Sequence, residues 1–472
     1  MTDVSEIGLL FDKAKAAGQE CIFRWWDELD DHGRRKLVHQ AKSVDFDLVS
    51  HLIAKYLHSI PEKFDGEMEP VPLVPLPRTE EQMAEAARMA AVGEEAIRRG
   101  EVCVFIVAGG QGTRLKYDPP KGTFPVCPLS KKSLFEAFAE KIIAAKRRYG
   151  VEIPLYVMTS LNNNNATQEF FRINKHFGLG KRNVYFAQQK GMLPAVDFSG
   201  KIILKQKDEI SLSPNGHGES IRALYDSGAL ADICRRGIKY ISYHQVDNVL
   251  VRSIDPVFLG YHIAGGSEMS LKVLRKRDAE EKLGVVGRVD GAMRVVEYSE
   301  LSDRVMRATN SDGSLVYATG SIAIHILNAE FVVRINQGEL ELPWHVAKKA
   351  VPHVDANGQL VKPDQSNGIK FERFVFDALP RARHAVVVET SRDEEFAPVK
   401  NSAGEDSPVT ARRAMANFFG RWLKQAGIHV PLDDDGNVKG MIEISPLYAI
   451  DYDELASKID ASMQFNGELL LQ

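Results

Sequence analysis

Val102-Cys-Val-Phe-Ile-Val-Ala-Gly-Gly-Gln-Gly-Thr-Arg-Leu115 is the stretch that decides the fold. Six apolar residues run from Val102 to Val107 without a polar break, and glycine then fills three of the four positions 109–112. A continuous apolar run suits a strand buried on both faces, the condition of parallel sheets covered by helices. The glycines after it let the backbone approach a ligand closely and present successive N–H groups, which suits phosphate. A helix is expected at 133–150 and another at 167–177, alternating with short apolar runs at 153–158, 184–186 and 240–246. The expected class is α/β with a mostly parallel sheet, and ligands belong just beyond the carboxyl ends of its strands.

Before this centre the chain reads as helical. Ile22, Trp25, Trp26 and Leu29 recur at helical spacing within 21–36, and 48–56 repeats the pattern. Five prolines between Pro61 and Pro77 then exclude a helix and predict a linker or an extended strap. The next helix is bounded by Thr79 as N-cap with Gln82 three residues on, and by Arg98, Arg99 and Gly100 at its end. Past Gly338 the rhythm weakens: 364–368 reads as a loop, 386–388 as a strand, and 409–427 as a helix. Tyr448, Ile450 and Leu455 form a last apolar stripe. The expected division is 1–100 helical with its proline-rich linker, 101–385 catalytic, and 386–472 a small C-terminal domain.

Composition sets the outer limits. Of 472 residues, 44% are apolar and 26% charged, enough for a sizeable core. Sixty Lys and Arg against 64 Asp and Glu give −4, so no global positive field draws in nucleic acid or a membrane surface. Any phosphate chemistry must be local. Cys21, Cys103, Cys127 and Cys234 are too scattered for a zinc framework or a disulfide scaffold. No apolar run approaches the ~20 residues that span a bilayer. Asp3 and Glu6 do not suit an apolar leader, and a cytoplasmic location is expected.

The glycine turn fits neither common phosphate motif. A dinucleotide fingerprint needs glycine where Leu115 stands, and the Gly-Lys-Ser/Thr of a P-loop is absent. Arg114 can grip phosphate oxygens with its fork. Pro119-Pro-Lys-Gly-Thr-Phe-Pro125 follows, a stiff loop that holds Lys121 toward the turn. Together the segments spell A-G-G-Q-G-T-R-L-x(4)-P-K-G, which resembles the nucleotidyltransferase signature of sugar-nucleotide pyrophosphorylases. The resemblance extends through GQECIFRWWDEL (18–29), GMLPAVDFSGKIIL (191–204), VDNVLV (246–251), LGVVGRVDG (283–291), VVEYSEL (295–301), KPDQSNGIKFERFVFD (362–377) and EEFAPVKN (394–401). These look like the eukaryotic-type UDP-N-acetylglucosamine pyrophosphorylases, whose relatives handle UDP-glucose and other UDP-sugars.

The resemblance implies a Rossmann-like nucleotidyltransferase domain that joins UTP and a sugar 1-phosphate into a UDP-sugar and pyrophosphate, with Mg²⁺. It implies Ala108, Gly109, Gly110, Gly112, Gly216 and His217 on the nucleotide, Arg114 on the departing pyrophosphate, and Lys121 on the α-phosphate. Lys400 would bind the sugar phosphate and Asp247 the Mg²⁺, an ion that takes few protein oxygens and many phosphate oxygens. Gln189 would read the uracil edge, with Gln188 the other candidate because Lys190 is one residue extra before Gly191. Gly284, Glu297, Ser321, Lys370, Phe374 and Phe376 would form the sugar side. Two positions depart from the N-acetylglucosamine pattern: His217 in Gly-His-Gly resembles the UDP-glucose branch, and Ser321 replaces an asparagine. UDP-N-acetylglucosamine is the expected product, with UDP-glucose or a broader UDP-sugar range as the alternative. A non-catalytic UDP-sugar sensor is disfavoured, since a binder needs no full charge-neutralising set.

Overall fold

The computed structural model describes residues 4–57, 63–110, 112–337 and 342–472; Asp3, Pro61, Gln111 and Gly338 lie outside them. A nine-stranded sheet is formed by β1 (Val102–Val107), β2 (Leu155–Ser160), β3 (Val184–Gln189), β4 (Tyr240–Gln245), β5 (Met269–Arg275), β6 (Val285–Val289), β7 (Ala292–Val296), β8 (Thr319–Asn328) and β9 (Val387–Glu389). The spatial order is β7-β6-β8-β4-β1-β2-β3, with β5 pairing β8 and β9. Every residue of β1 and β2 is buried, which is why neither shows an alternating pattern. β1 runs parallel to β2 and β4, and β2 parallel to β3. In register, Val107 faces Met158 and Gln245, and Ser160 faces Gln189, so these four strands end along one edge.

The crossover helix Leu134–Tyr149 is set by its ends. The Ser133 side chain accepts from the Glu136 N–H, and Gly150 closes it in the left-handed conformation at φ 69°. Beyond β4 the sheet turns antiparallel, because β8 runs against β4, β5 and β6. Asp290 and Gly291, both at positive φ, make the two-residue hairpin that joins β6 to β7.

The proline segment is an extended strap along the sheet. Phe64, Glu69 and Val74 bridge Leu301, Arg288 and Val388 in turn. The following helix, Glu80–Arg98, carries the full capping box of Thr79 and Gln82. It crosses Pro256–Ala264 so closely that a Cβ on Gly93 would lie 1.9 Å from the Pro256 carbonyl oxygen, and one on Gly260 1.8 Å from that of Met89.

Two expectations differ from the structure. Residues 21–36 are not one helix: two short 3₁₀ turns, Glu20–Phe23 and Trp26–Glu28, precede the helix Asp31–Ser43. Asp30 breaks the run, since its side chain accepts from the Gly33 N–H and restarts the helix behind an extended Leu29. The division of the chain also differs from 1–100, 101–385 and 386–472. One compact unit comprises 1–63, 190–219 and 341–377, and the other comprises 64–189, 220–340 and 378–472. In the first, the apolar faces of Asp31–Ser43 and Phe46–Tyr56 bury Leu37 and Leu52 in one cluster with Val196, Ile210 and Phe371. Gln19 ties its pieces, donating to the Gly200 carbonyl and accepting from the Ile202 N–H, both at 2.8 Å. In the second, β9 joins the central sheet through β5, so the C-terminal segment shares the sheet's core. Among the described residues no helix is long and apolar enough to cross a membrane.

Candidate active site

The edge where β1 to β4 end carries the glycine turn. The Ala108 N–H continues the ladder to the Met158 carbonyl at 2.9 Å, and the chain then leaves the sheet. Gly112 folds back so tightly that a Cβ there would lie 2.4 Å from the Tyr117 carbonyl oxygen, a space only glycine leaves open. Asn163, directly after β2, fixes the turn from the side. Its Nδ2 donates to the Ala108 carbonyl at 2.8 Å, while its Oδ1 accepts from the Ser160 N–H at 2.8 Å. Sequence reading passed over Asn163; the signal was its place in an Asn run just beyond a buried strand. Gln189 ends β3 buried beside Gly109, its Oε1 3.6 Å from where a Cβ on that glycine would stand. Gln188 points to the opposite face by the strand's alternation.

Lys121 begins a 3₁₀ turn after Pro120, and Asp247 comes two residues after β4. Between them the Lys121 Nζ donates to Asp247 Oδ2 at 2.9 Å, with side chains only 14% and 9% exposed. Burial alone would raise the Asp247 pKa; the charges of Lys121 and Lys400 outweigh it and hold the carboxyl below its usual range. The segment bearing Lys400 is stitched to both neighbours. The Val399 N–H donates to the Asp247 carbonyl at 2.9 Å, and the Ser402 N–H to the Arg114 carbonyl at 3.0 Å. The Lys400 ammonium stands 3.4 Å from Asp406 Oδ2, both half-buried. Arg114 is exposed, and its guanidinium has no carboxylate partner among the described residues.

Such an edge can receive a polyphosphate: backbone N–H groups at the turn, a guanidinium without a carboxylate partner among the described residues, two ammonium groups and one ionised carboxylate. Among the described residues no three His, Cys, Asp or Glu groups gather as a metal cage. A lone buried carboxylate fits Mg²⁺, which completes its shell with phosphate oxygens and water. Zinc, by contrast, takes three or four protein ligands.

The remaining candidates form two groups. On the sheet unit, the Ser321 N–H donates to the Gly284 carbonyl at 2.8 Å, and Glu297 Oε1 lies 3.2 Å from where a Cβ on Gly284 would stand. The structure thus brings these three together. On the other unit, Gly216 at φ 86° packs its Cα against the Arg373 main chain, 2.4 Å from carbonyl oxygen to an imagined Cβ. His217 stacks on Phe374 at 5.1 Å between ring centroids and meets Phe376 edge-on at 5.8 Å. Its Nδ1 accepts the Val375 N–H at 3.2 Å, so in the neutral ring the proton sits on Nε2. Lys370 lies on the adjacent strand Gly368–Glu372, where burial, with Lys349 adding to it, pulls its pKa down. His345, on Phe374 at 4.5 Å and on Asp377 at 2.9 Å, completes this aromatic group and was not anticipated.

Comparison with known proteins identifies the family of the chain. Residues 54–406 match the family model described as UTP–glucose-1-phosphate uridylyltransferase. The chain belongs to this family. It is a nucleotidyltransferase of the UDP-sugar pyrophosphorylase type. It is 39% identical over 464 residues to the UDP-N-acetylhexosamine pyrophosphorylase-like protein 1 of Xenopus tropicalis, covering 92% of this chain and 90% of that one. It is 37% identical over 462 residues to UDP-N-acetylglucosamine diphosphorylase 2 of Arabidopsis thaliana, covering 93% and 89%. Among solved structures, the UDP-N-acetylglucosamine pyrophosphorylase of Trypanosoma brucei superposes with a TM-score of 0.78 at 26% identity, over 100% of this chain and 99% of that one.

Proposed function

We propose that this family member is a cytoplasmic uridylyltransferase that makes UDP-N-acetylglucosamine and pyrophosphate from UTP and N-acetylglucosamine 1-phosphate. The observation that carries the reading is the Lys121–Asp247 pair at 2.9 Å at the end of the parallel strands, with the Lys400 charge acting on the same carboxylate. A phosphate oxygen of the sugar phosphate attacks the α-phosphorus of UTP in line, and the bond to the bridging oxygen of pyrophosphate breaks. No proton must move and no covalent intermediate is needed, so positioning and charge neutralisation are what the protein supplies. The glycine turn seats the nucleotide phosphates, Arg114 takes the departing pyrophosphate, Lys121 the α-phosphate and Lys400 the sugar phosphate. Mg²⁺, held by Asp247 with phosphate oxygens, would neutralise charge on the triphosphate when bound.

The N-acetylated hexose rests on the names of the relatives. UDP-glucose is the second reading, favoured by His217 and Ser321. A panel of hexose 1-phosphates with UTP, read as pyrophosphate release, decides between them. The expected result is fastest release with N-acetylglucosamine 1-phosphate, abolished by EDTA and cut at least about 10²-fold by Lys121→Ala. Faster release with glucose 1-phosphate would transfer the assignment to the second reading, and near-normal turnover in Lys121→Ala would sink the mechanism.

A further inference from the structure

Asn248 splices the segment that carries Asp247 to the segment that carries Lys400. The residue is 4% exposed, and its side chain uses both arms on one distant stretch of main chain. The Nδ2 donates to the Glu395 carbonyl at 2.7 Å, and the Oδ1 accepts from the Ala397 N–H at 2.9 Å. The main chains add an antiparallel bridge between Asn248 and Pro398, and the Val399 N–H donates to the Asp247 carbonyl at 2.9 Å. One hydrogen bond would leave a swivel; two from a planar amide fix direction as well as distance.

The far end of the splice is itself immobilised. Glu395 Oε2 accepts from Thr390 Oγ1 at 2.6 Å and from the Lys272 ammonium, and Oε1 accepts from the Arg252 N–H at 3.0 Å. Lys272 and Glu395 have side chains 3% and 2% exposed, and Lys272 also reaches Asp255 Oδ2 at 2.5 Å. Lys400, three residues beyond Ala397, has a side chain 32% exposed; among the described residues its ammonium meets Asp406 at 3.4 Å and lies 5.8 Å from the Phe396 ring centroid. Its own contacts are too loose to define where the ammonium stands. The main chain leading into it is fixed by Asn248 at Glu395 and Ala397, and beyond it by the Asp406 carbonyl, which accepts from the Lys400 and Asn401 N–H groups at 2.6 and 2.9 Å.

We infer that Asn248 is a positioning residue, which sets the Lys400 ammonium against the Asp247 carboxylate before substrate arrives. This rests on the roles given to Lys400 and Asp247 in the proposed function. The test is a double-mutant cycle between Asn248→Ala and Lys400→Ala, with turnover and UTP affinity measured separately. Asn248→Ala is expected to lower kcat about 10²-fold, as a shift of about 1 Å at a reacting centre does. Its Kd for UTP, read by calorimetry without sugar phosphate, should stay within about threefold. In the Lys400→Ala background the same change should cost less than about threefold, because the group it positions is gone. Equal losses in both backgrounds would overturn the inference, as would an Asn248→Ala enzyme of lower melting temperature and unchanged kcat. Full activity in Lys400→Ala alone would instead strike the reading on which it rests. If Asn248→Ala has no cooperative thermal transition, Asn248→Asp, which keeps the volume and the Ala397 contact, carries the same cycle.

Discussion

Lys272 stands between Leu271 and Val273 in a strand paired on both edges, and it is one of the most buried cations in the molecule. Burial pulls its pKa down, but Asp255 and Glu395 push harder and hold it above the ordinary lysine value. For Asp255 the order is the same with the sign reversed: burial raises it, and Lys272 and Arg252 bring it below the usual range. Asp255 therefore contributes stability that is present above the unfolded aspartate value and lost as pH falls through the depressed one. Lys272 contributes stability that is present below the unfolded lysine value and lost as pH rises through the raised one. The cluster is a neutral-pH device. Lys272→Met, which leaves two buried carboxylates without their ammonium, should cost about 3–5 kcal/mol near pH 7. The deficit should shrink toward about pH 5, where buried carboxylates take up protons more readily than exposed ones. Urea unfolding of both proteins across that range checks it, and a deficit independent of pH would contradict the argument. Sequence reading passed over Lys272. What surrounds its ammonium is Asp255, Glu395 and the Phe258 ring, the carboxylate of Glu395 coming from far along the chain, which no local pattern encodes.

Elements were legible where their ends carry their own chemistry. Thr79 with Gln82, and Ser133 with Gly150, mark two helices because each cap satisfies orphan backbone groups locally. β1 and the glycine turn were legible for the same reason, since burial and the turn are both written in consecutive residues. The 21–36 stretch was misread because four large apolar side chains at helical spacing outweighed Asp30, whose capping bond ends the pattern. The antiparallel half of the sheet was also missed, although Asp290-Gly291 between apolar runs is a strong hairpin signal. The crossing of Glu80–Arg98 with Pro256–Ala264 belongs to this scale, because it places Asp255, which caps the second helix through the Val257 and Phe258 N–H groups. Gly93 and Gly260 let the two backbones touch. A methyl group on Gly260 would strike the Met89 carbonyl rather than a movable side chain, so Gly260→Ala should destabilise by about 3 kcal/mol, the upper end of ordinary overpacking. Gly8→Ala, on an exposed helical face with nothing within 4 Å, should be neutral or stabilising by up to about 1 kcal/mol. Denaturant midpoints for the pair test the crossing, and equal effects would show that the close approach is not what Gly260 serves.

At the scale of the whole molecule, the assembly of 1–63 with 190–219 and 341–377 could not be read from sequence, because their buried residues meet in one cluster across long stretches of chain and no local pattern names the partner. The charge balance, by contrast, was fully legible and constrains the chemistry. A chain of net −4 exerts little long-range pull on UTP or a sugar phosphate, both strongly anionic. Positive charge is instead set down in a few places with different exposure: Lys121 is buried against Asp247, whereas Arg114 is exposed without a carboxylate partner among the described residues. Salt screens exposed charges over about 8 Å at physiological ionic strength and buried ones much less. Raising salt from about 0.02 to 0.2 M should therefore lower kcat/KM for UTP by less than about tenfold, below the range of enzymes that steer substrate by a global field. What salt dependence there is should come from the exposed guanidinium. Arg114→Gln should flatten the slope of log kcat/KM against log salt while lowering its level, and Lys121→Gln should lower the level and leave the slope. Stopped-time assays of pyrophosphate release across a salt series separate the two variants. A steep slope that survives Arg114→Gln would mean that the attraction arises from charges elsewhere on the surface.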